Sequence, residues 1–290
     1  MPTKVEKDSI TGQETTGHEW DGIKELNSPL PKWWLYVFYA TILYSIVYFV
    51  LYPSIPLVNG YTEGVIGGSA REALVDKMAA AKARQAATLD QVAALELEAI
   101  AQDSELLTFA IAGGRAAFAD NCAPCHGLGG AGVPGGFPSL ADDAWIWGGT
   151  LEAIETTVRY GIRNGSDEAR ISDMPAFGAD EILTAEEIAD LSHYVLALSG
   201  RGEDQAAADR AAEAYLDNCA ACHGESGEGI AEVGGPRLSD QIWLYGGERE
   251  DILTQLHKPK QGVMPGWEGR LDENTIKMLT VYVHTLGGGQ

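Results

Sequence analysis

A five-residue pattern of two cysteines and one histidine occurs twice in this chain of 290 residues. It runs from Cys122 to His126 and again from Cys219 to His223. C-x-x-C-H is the attachment signature of a c-type haem, because two thioether bonds and one axial imidazole must come from a single turn of backbone. We therefore predict two covalently bound haem c groups per chain, held by Cys122, Cys125, His126, Cys219, Cys222 and His223.

A C-x-x-C pair can also be a redox dithiol or half of a zinc site. The duplication of the full pentapeptide, with a Met-Pro dipeptide after each copy, favours haem over both. The two copies use all four cysteines, so the chain has none left for a structural disulfide.

The two Met-Pro dipeptides supply candidate sixth ligands for iron. Met174 lies 48 residues after His126, and Met264 lies 41 residues after His223. A thioether is a soft ligand that suits reduced iron, and paired His/Met ligation raises the reduction potential. We predict both methionines as axial ligands, with gap-filling core residues as the alternative. Short chain closure favours the histidine of the same module as partner, whereas closely packed modules could exchange their methionine loops.

The C-terminal part of the chain repeats itself, as tandem domains do. The cysteines and histidine recur after 97 residues, and the apolar pattern of the last helix recurs after 88. Each copy predicts a helix before the haem-binding turn, a glycine-rich loop, a middle helix, the Met-Pro loop and a final amphipathic helix. Thr184 and Asp272 are the expected N-caps of the two final helices. We expect tandem cytochrome c domains at residues 108–200 and 205–290.

Residues 33–52 contain no charged side chain and predict one transmembrane helix near the N-terminus. Twenty helical residues span about 30 Å, which matches a bilayer core. Trp33 and Tyr52 bound the run as in an aromatic belt. A cleaved signal peptide would be shorter, less aromatic and nearer the start. An extended, solvated arm is expected at residues 1–32, and a linker containing a helix at residues 53–107.

The charge of the chain restricts its partners. Acidic residues outnumber basic ones 42 to 20, which gives a net charge of −22. Nucleic acid is therefore excluded as a partner, because a phosphate backbone needs a basic surface.

Four lysines precede the apolar run, and the first base after it is Arg71. This bias predicts a cytoplasmic N-terminus with the haem domains on the other side of the membrane.

The chain resembles the dihaem c-type subunit, subunit III, of cbb3-type cytochrome c oxidases. The resemblance rests on the stretch Thr16–Ile23, on Leu30–Trp34 with the anchor that follows, and on the order of one anchor and two C-x-x-C-H modules. It implies a mainly α fold with one N-terminal transmembrane helix followed by two tandem cytochrome c domains. The eight cysteine, histidine and methionine positions match the ligand positions of that family.

The resemblance also implies a setting and a function. The chain would belong to a respiratory complex of the bacterial inner membrane, with its haem domains in the periplasm. Its partners would be a haem–copper catalytic subunit, a monohaem cytochrome c subunit, a donor cytochrome c and membrane lipid. The chain would accept electrons and pass them inward, and oxygen would be reduced elsewhere, so it has no catalytic residues of its own.

Two other functions are compatible with the motifs. A free-standing, membrane-anchored dihaem cytochrome could shuttle electrons without an oxidase. A dihaem peroxidase or sulfur-compound oxidoreductase would instead need an open or weakly ligated iron.

Overall fold

The structure is a computed structural model that describes residues 4–287. Residues 1–3 and 288–290, the outermost ends of the predicted arm and second domain, lie outside the described residues. The chain divides into two compact units, Met1–Arg84 and Gln85–Gln290. The predicted mainly α fold is confirmed, since only short two-stranded sheets accompany the helices of the described residues.

The N-terminal unit begins with a β-hairpin where the sequence predicted an extended arm. Strand β1 (Thr15–Trp20) pairs antiparallel with β2 (Ile23–Leu26). Asp21 and Gly22 connect them with φ angles of 47° and 84°. Positive φ at both central residues is what a tight hairpin turn requires, and Asp-Gly is a preferred pair for it. The sequence analysis did not recognise Asp21-Gly22 as a hairpin turn and treated it as part of a solvated arm.

One helix follows the hairpin. Helix α1 spans Lys32–Leu51, contains no buried residue and is the one helix of residues 4–287 long and apolar enough to cross a membrane. The aromatic rings of Tyr44, Tyr48 and Tyr52 follow one another along one side, with centroids 6.2 and 4.9 Å apart. A second small hairpin, β3 (Pro56–Leu57) with β4 (Gly60–Tyr61), comes next.

Helices make up most of the C-terminal unit, which begins at Gln85 within α2. In chain order they are α2 (Ala70–Ala94), α3 (Leu97–Gln102), α4 (Ser104–Asn121), α5 (Ala123–His126), α6 (Leu151–Tyr160), α7 (Ala185–Leu198), α8 (Gln205–Asn218), α9 (Ala220–His223), α10 (Arg249–His257) and α11 (Glu273–His284). The predicted N-caps are present, since Thr184 accepts from the Glu187 amide in a capping box and Asp272 accepts from the Thr275 amide.

The final helices of the two sequence modules are exchanged. Helix α11 packs on α4 and α6, whereas α7 packs on α8 and α10. We call α4, α5, α6 and α11 the first lobe, and α7, α8, α9 and α10 the second lobe. Each sequence module, 108–200 and 205–290, therefore contributes helices to both lobes.

The same aromatic contact marks the helix crossing in each lobe. Phe118 of α4 meets Tyr282 of α11 edge to face, with ring centroids 5.4 Å apart. At the repeat-equivalent positions, Tyr215 of α8 meets Tyr194 of α7 at 4.7 Å. Phe118 and Tyr215 are almost completely buried. The two crossings are therefore equivalent in register.

Beside each aromatic pair the two crossings carry different partners. In the first lobe, Gly113 of α4 lies against the thioether of Met278 on α11. At the equivalent place in the second lobe, Arg210 of α8 donates two hydrogen bonds to the carboxylate of Asp190 on α7. Without the exchange, Asp190 would face a glycine, and Met278 would face a guanidinium. This matching of partners favours the exchanged arrangement, because each wrong pairing leaves a charge without its partner.

The end of the linker packs on the first lobe. Val92, Ile100 and Ala110 form one buried cluster with Met278 and Val281. The Lys277 ammonium on α11 also donates to the carbonyl oxygens of three residues at the end of α2, Val92, Ala93 and Leu95. A helix terminus leaves its last carbonyls without intrahelical partners, and a cation there satisfies them.

Candidate haem sites

Each C-x-x-C-H pentapeptide forms a single helical turn at the end of a longer helix. Cys122 ends α4 and starts α5, and the His126 amide donates to the Cys122 carbonyl oxygen at 2.9 Å. The second turn repeats this, with 3.0 Å from the His223 amide to the Cys219 carbonyl oxygen. Gly127, with φ of 75°, ends the first turn. Both cysteines and the histidine thus come from one turn, as haem attachment requires.

A proline carbonyl fixes each histidine ring. His126 Nδ1 lies 3.0 Å from the Pro138 carbonyl oxygen, and His223 Nδ1 lies 2.8 Å from that of Pro236. A carbonyl can only accept, so the proton resides on Nδ1 and the Nε2 lone pair is left for a metal. Burial lowers the pKa of both imidazoles, and the bond to the carbonyl partly offsets this. Both rings are therefore held neutral and oriented, which suits an axial ligand.

The thiols do not fit the dithiol or zinc alternatives. Burial raises the pKa of Cys122 and of Cys219 to about 11, so neither is a thiolate at neutral pH. A redox dithiol needs the opposite, a lowered thiol pKa. Within residues 4–287, no group of three or more His, Cys, Asp or Glu side chains is arranged to hold a metal ion. A structural zinc needs four such ligands.

The exchange of helices also exchanges the two predicted methionine ligands. Met264 packs against the apolar cluster of the first lobe, together with Cys122 and Ala123. Met174 packs against the cluster of the second lobe, together with Cys219 and Ala220. Each methionine therefore lies in the lobe of the other module's cysteines. Of the two arrangements that the sequence left open, this packing matches the exchange of methionine loops.

Three buried side-chain donors follow the haem-binding turns along the chain. They are Trp145 Nε1, Trp243 Nε1 and Arg170 Nε, none of which has a hydrogen-bond partner within residues 4–287. The two tryptophans are equivalent under the repeat and line one cavity of about 380 Å³, together with Pro138 and Pro236. Buried donors in native proteins are nearly always paired. The two carboxylates of a haem are acceptors of the kind these donors lack, so the residues present fit the group.

The Arg170 guanidinium has no anionic partner among the described residues, and its Nη2 donates to the Ala153 carbonyl oxygen at 3.1 Å. It lies 5.2 Å from the ring centre of Trp147, and burial lowers its pKa. Arg201 stacks on Trp243 at 5.3 Å in the second lobe, but it has Glu248 at 3.7 Å. Sequence analysis missed these tryptophans and arginines as functional residues. The recurrence of Trp145 as Trp243 was the signal that could have found the donors.

Two cytochrome c domains, each built around one C-x-x-C-H turn, define the class of dihaem c-type cytochromes. The comparisons with known proteins agree. Residues 12–59 match the family described as the N-terminal domain of cytochrome oxidase-cbb3, FixP. Residues 109–195 and 206–283 both match cytochrome c oxidase, cbb3-type, subunit III. The chain belongs to this family of cbb3-type oxidase subunits, and the prediction of two c-type haems is confirmed with it.

Full-length relatives carry the same family names. The chain is 50% identical to the cbb3-type cytochrome c oxidase subunit CcoP of Azospirillum brasilense, over 98% of this chain and 99% of the relative. It is 51% identical to the subunit FixP of Azorhizobium caulinodans, over 98% and 96% of the two chains. It is 45% identical to FixP of Bradyrhizobium diazoefficiens, over the whole of both.

Proposed function

We propose that this chain is the electron relay of a cbb3-type cytochrome c oxidase. It accepts electrons from a donor cytochrome c and passes them to the haem–copper catalytic subunit, where oxygen is reduced. The observation that carries the proposal is that each lobe holds one oriented imidazole and one methionine, and that the methionine packs against the same apolar cluster as a cysteine of the haem-binding turn. Two protein ligands per iron leave no position for oxygen or peroxide, which argues against the peroxidase and sulfur-oxidation alternatives.

The ligands are assigned crosswise. His126 and Met264 would hold the iron of the haem attached to the first turn, and His223 and Met174 would hold that of the second. Haem iron held between imidazole and thioether gains and loses one electron without exchanging a ligand. The protein supplies the rest. The proline carbonyls keep both imidazoles in the ligating tautomer, and the apolar clusters that Met174 and Met264 pack against shield the two side chains in part from water.

Trp145, Trp243 and Arg170 complete the haem sites in this proposal. The two indole N–H groups and the Arg170 Nε would donate hydrogen bonds to the haem carboxylates. This pairing satisfies the three buried donors that have no acceptor among the described residues. The Arg170 guanidinium, which has no anionic partner among the described residues, would also stabilise a haem carboxylate as an anion, because an opposite charge nearby favours the charged form.

The topology and the partners of the chain follow from its anchor and its charge. The arm lies in the cytoplasm, α1 crosses the inner membrane once, and both lobes lie in the periplasm, where a basic donor cytochrome is steered towards the acidic chain. The haem–copper subunit and a monohaem subunit are the partners within the membrane. Protease added to intact spheroplasts is expected to digest the lobes and spare the arm, and the reverse pattern contradicts this orientation.

The relay is tested with the purified, haem-loaded chain. It should be reduced rapidly by a basic cytochrome c, at a rate that falls as salt rises. It should neither bind carbon monoxide nor consume oxygen. Met264→Ala should open one iron to carbon monoxide, which provides the positive control. Oxygen uptake by the chain with both methionines intact would refute the relay in favour of a catalytic role. Co-purification with large haem-b subunits separates an oxidase subunit from a free-standing shuttle.

A further inference from the structure

Two segments carry the chain from one lobe to the other, and each bears one of the methionines. Residues 161–184 lead from α6 in the first lobe to α7 in the second, and residues 258–272 lead from α10 back to α11. The two segments are hydrogen-bonded where they pass. The Ile162 amide donates to the Met264 carbonyl oxygen at 2.9 Å, and the Met264 amide donates to the Ile162 carbonyl oxygen at 2.9 Å. Met264 is therefore held where the two segments cross.

The backbones of the two methionines are held in different ways. Met264 has the reciprocal bridge to Ile162 and a further bond from the Asn164 carboxamide at 3.2 Å. Met174 lies in a stretch with no helix or strand, residues 171–176. Its amide donates to Gln261 Oε1 at 3.1 Å, and its carbonyl oxygen accepts from Gln261 Nε2 at 3.2 Å. The Gln261 side chain thus does for the Met174 backbone what the Ile162 backbone does for Met264.

We propose that Gln261 is a positioning residue for the Met174 ligand of the second haem. Its carboxamide pairs with both backbone groups of Met174 as a neighbouring strand would, and so fixes the point from which the thioether projects. The inference rests on the proposed ligation of the second iron by Met174. Gln261 is on the segment that goes on to Met264, so the ligand of one haem is held by the loop that carries the ligand of the other.

The physical reason lies in the local backbone. A ligand on an unstructured stretch must be immobilised before it can bind, and that ordering costs free energy each time the bond forms. Pro175 fixes its own φ but gives no hydrogen bond on its N side. The two bonds from Gln261 order the residue in advance. Both bonds are open to water, so their net effect is smaller than that of buried bonds.

The test is competition for the sixth position by imidazole, followed in the ferric, haem-loaded full chain in detergent. Gln261→Leu should lower the apparent Kd for imidazole about threefold at one of the two haems, which corresponds to about 0.7 kcal/mol at 1.4 kcal/mol per tenfold. The weak long-wavelength absorption of sulfur-ligated ferric haem should be lost at a correspondingly lower imidazole concentration. Gln261→Glu keeps the acceptor for the Met174 amide, so its apparent Kd for imidazole should lie between those of the parent protein and of Gln261→Leu.

Gln255 provides the matched control. Its Oε1 accepts from the Lys260 amide at 2.8 Å, so it holds the same segment without touching Met174. Gln255→Leu should leave both imidazole affinities unchanged. Equal effects of the two leucine variants, or no effect of Gln261→Leu with two haems still attached, would overturn the positioning role. If Met174→Ala itself fails to change imidazole binding, the proposed ligation falls, and the role of Gln261 falls with it.

Discussion

Gly114→Ala is expected to destabilise the first lobe, because the crossing of α4 and α11 leaves no room for a methyl group there. Gly114 is buried. An added Cβ would overlap the Met278 carbonyl oxygen and the Tyr282 Cβ. Both are backbone or near-backbone atoms of α11, so no side-chain rotation relieves the contact and the helices must move apart. The repeat-equivalent position in α8 is Ala211, which shows that the two crossings are spaced differently.

The magnitude follows from two opposing terms. Overpacking of a well-packed core costs about 1–3 kcal/mol, and a backbone clash lies at the upper end of that range. Alanine gains about 1 kcal/mol over glycine in helix propensity. The net loss is therefore about 2 kcal/mol in the free energy of unfolding. For a unit of this size it corresponds to a fall in Tm of about 4–8 °C.

Gly113→Ala is the matched control. Its added Cβ would meet the Met278 Sδ at 2.5 Å, but that atom is the end of a flexible side chain that can rotate away. The gain in helix propensity then roughly cancels the contact, and the free energy of unfolding should stay within about 0.5 kcal/mol of the parent protein. Urea titration of the haem-loaded chain, followed by haem-region circular dichroism, measures both variants. Equal stability of the two would refute the close crossing of α4 with α11 and the exchange that it defines.

Three further predictions concern the lobes and their haems. Lys277→Met should lower the local stability at the C-terminal end of α2 by about 1–2 kcal/mol, seen as faster amide hydrogen exchange there, because three carbonyls lose their donor. The hydrogen bond and charge of Arg159 lower the pKa of Glu273. The contact therefore stabilises the fold at pH values above the ordinary carboxyl pKa, and this stability is lost as pH falls. Glu273→Gln should make the free energy of unfolding less dependent on pH on the acid side, and an unchanged pH dependence contradicts this. Cys122→Ser combined with Cys125→Ser should leave one acid-stable haem of two, and loss of both would contradict independent attachment.

Local sequence signals predicted the helices and their ends well. Thr184 and Asp272 cap the helices for which they were predicted, because a side-chain acceptor at that position needs only its own first turn. The haem-binding turns likewise follow from five consecutive residues. The Asp21–Gly22 hairpin could have been predicted in the same way from its turn pair.

The exchange of final helices could not be predicted from pattern alone. Helices α7 and α11 share the same apolar positions, so either could cover α4 by hydrophobicity. Loop closure separates the arrangements only weakly, since its cost grows with the logarithm of loop length. The distinction lies in single contacts across the crossing, Gly113 with Met278 and Arg210 with Asp190. Such pairs can be recognised only when both helices are considered together.

The exchange makes the two lobes unequal in how they can assemble. The second lobe is made from one continuous stretch, from the Met174 loop to the end of α10 at His257. The first lobe needs two stretches, α4 to α6 and the return segment with α11. In chain order the last helix of the second lobe ends at His257, whereas α4 gains its partner α11 only after the return segment. Because the return segment must cross the loop that carries Met174, closing the first lobe also fixes the ligand loop of the second. The two haem sites are thus joined at one crossing.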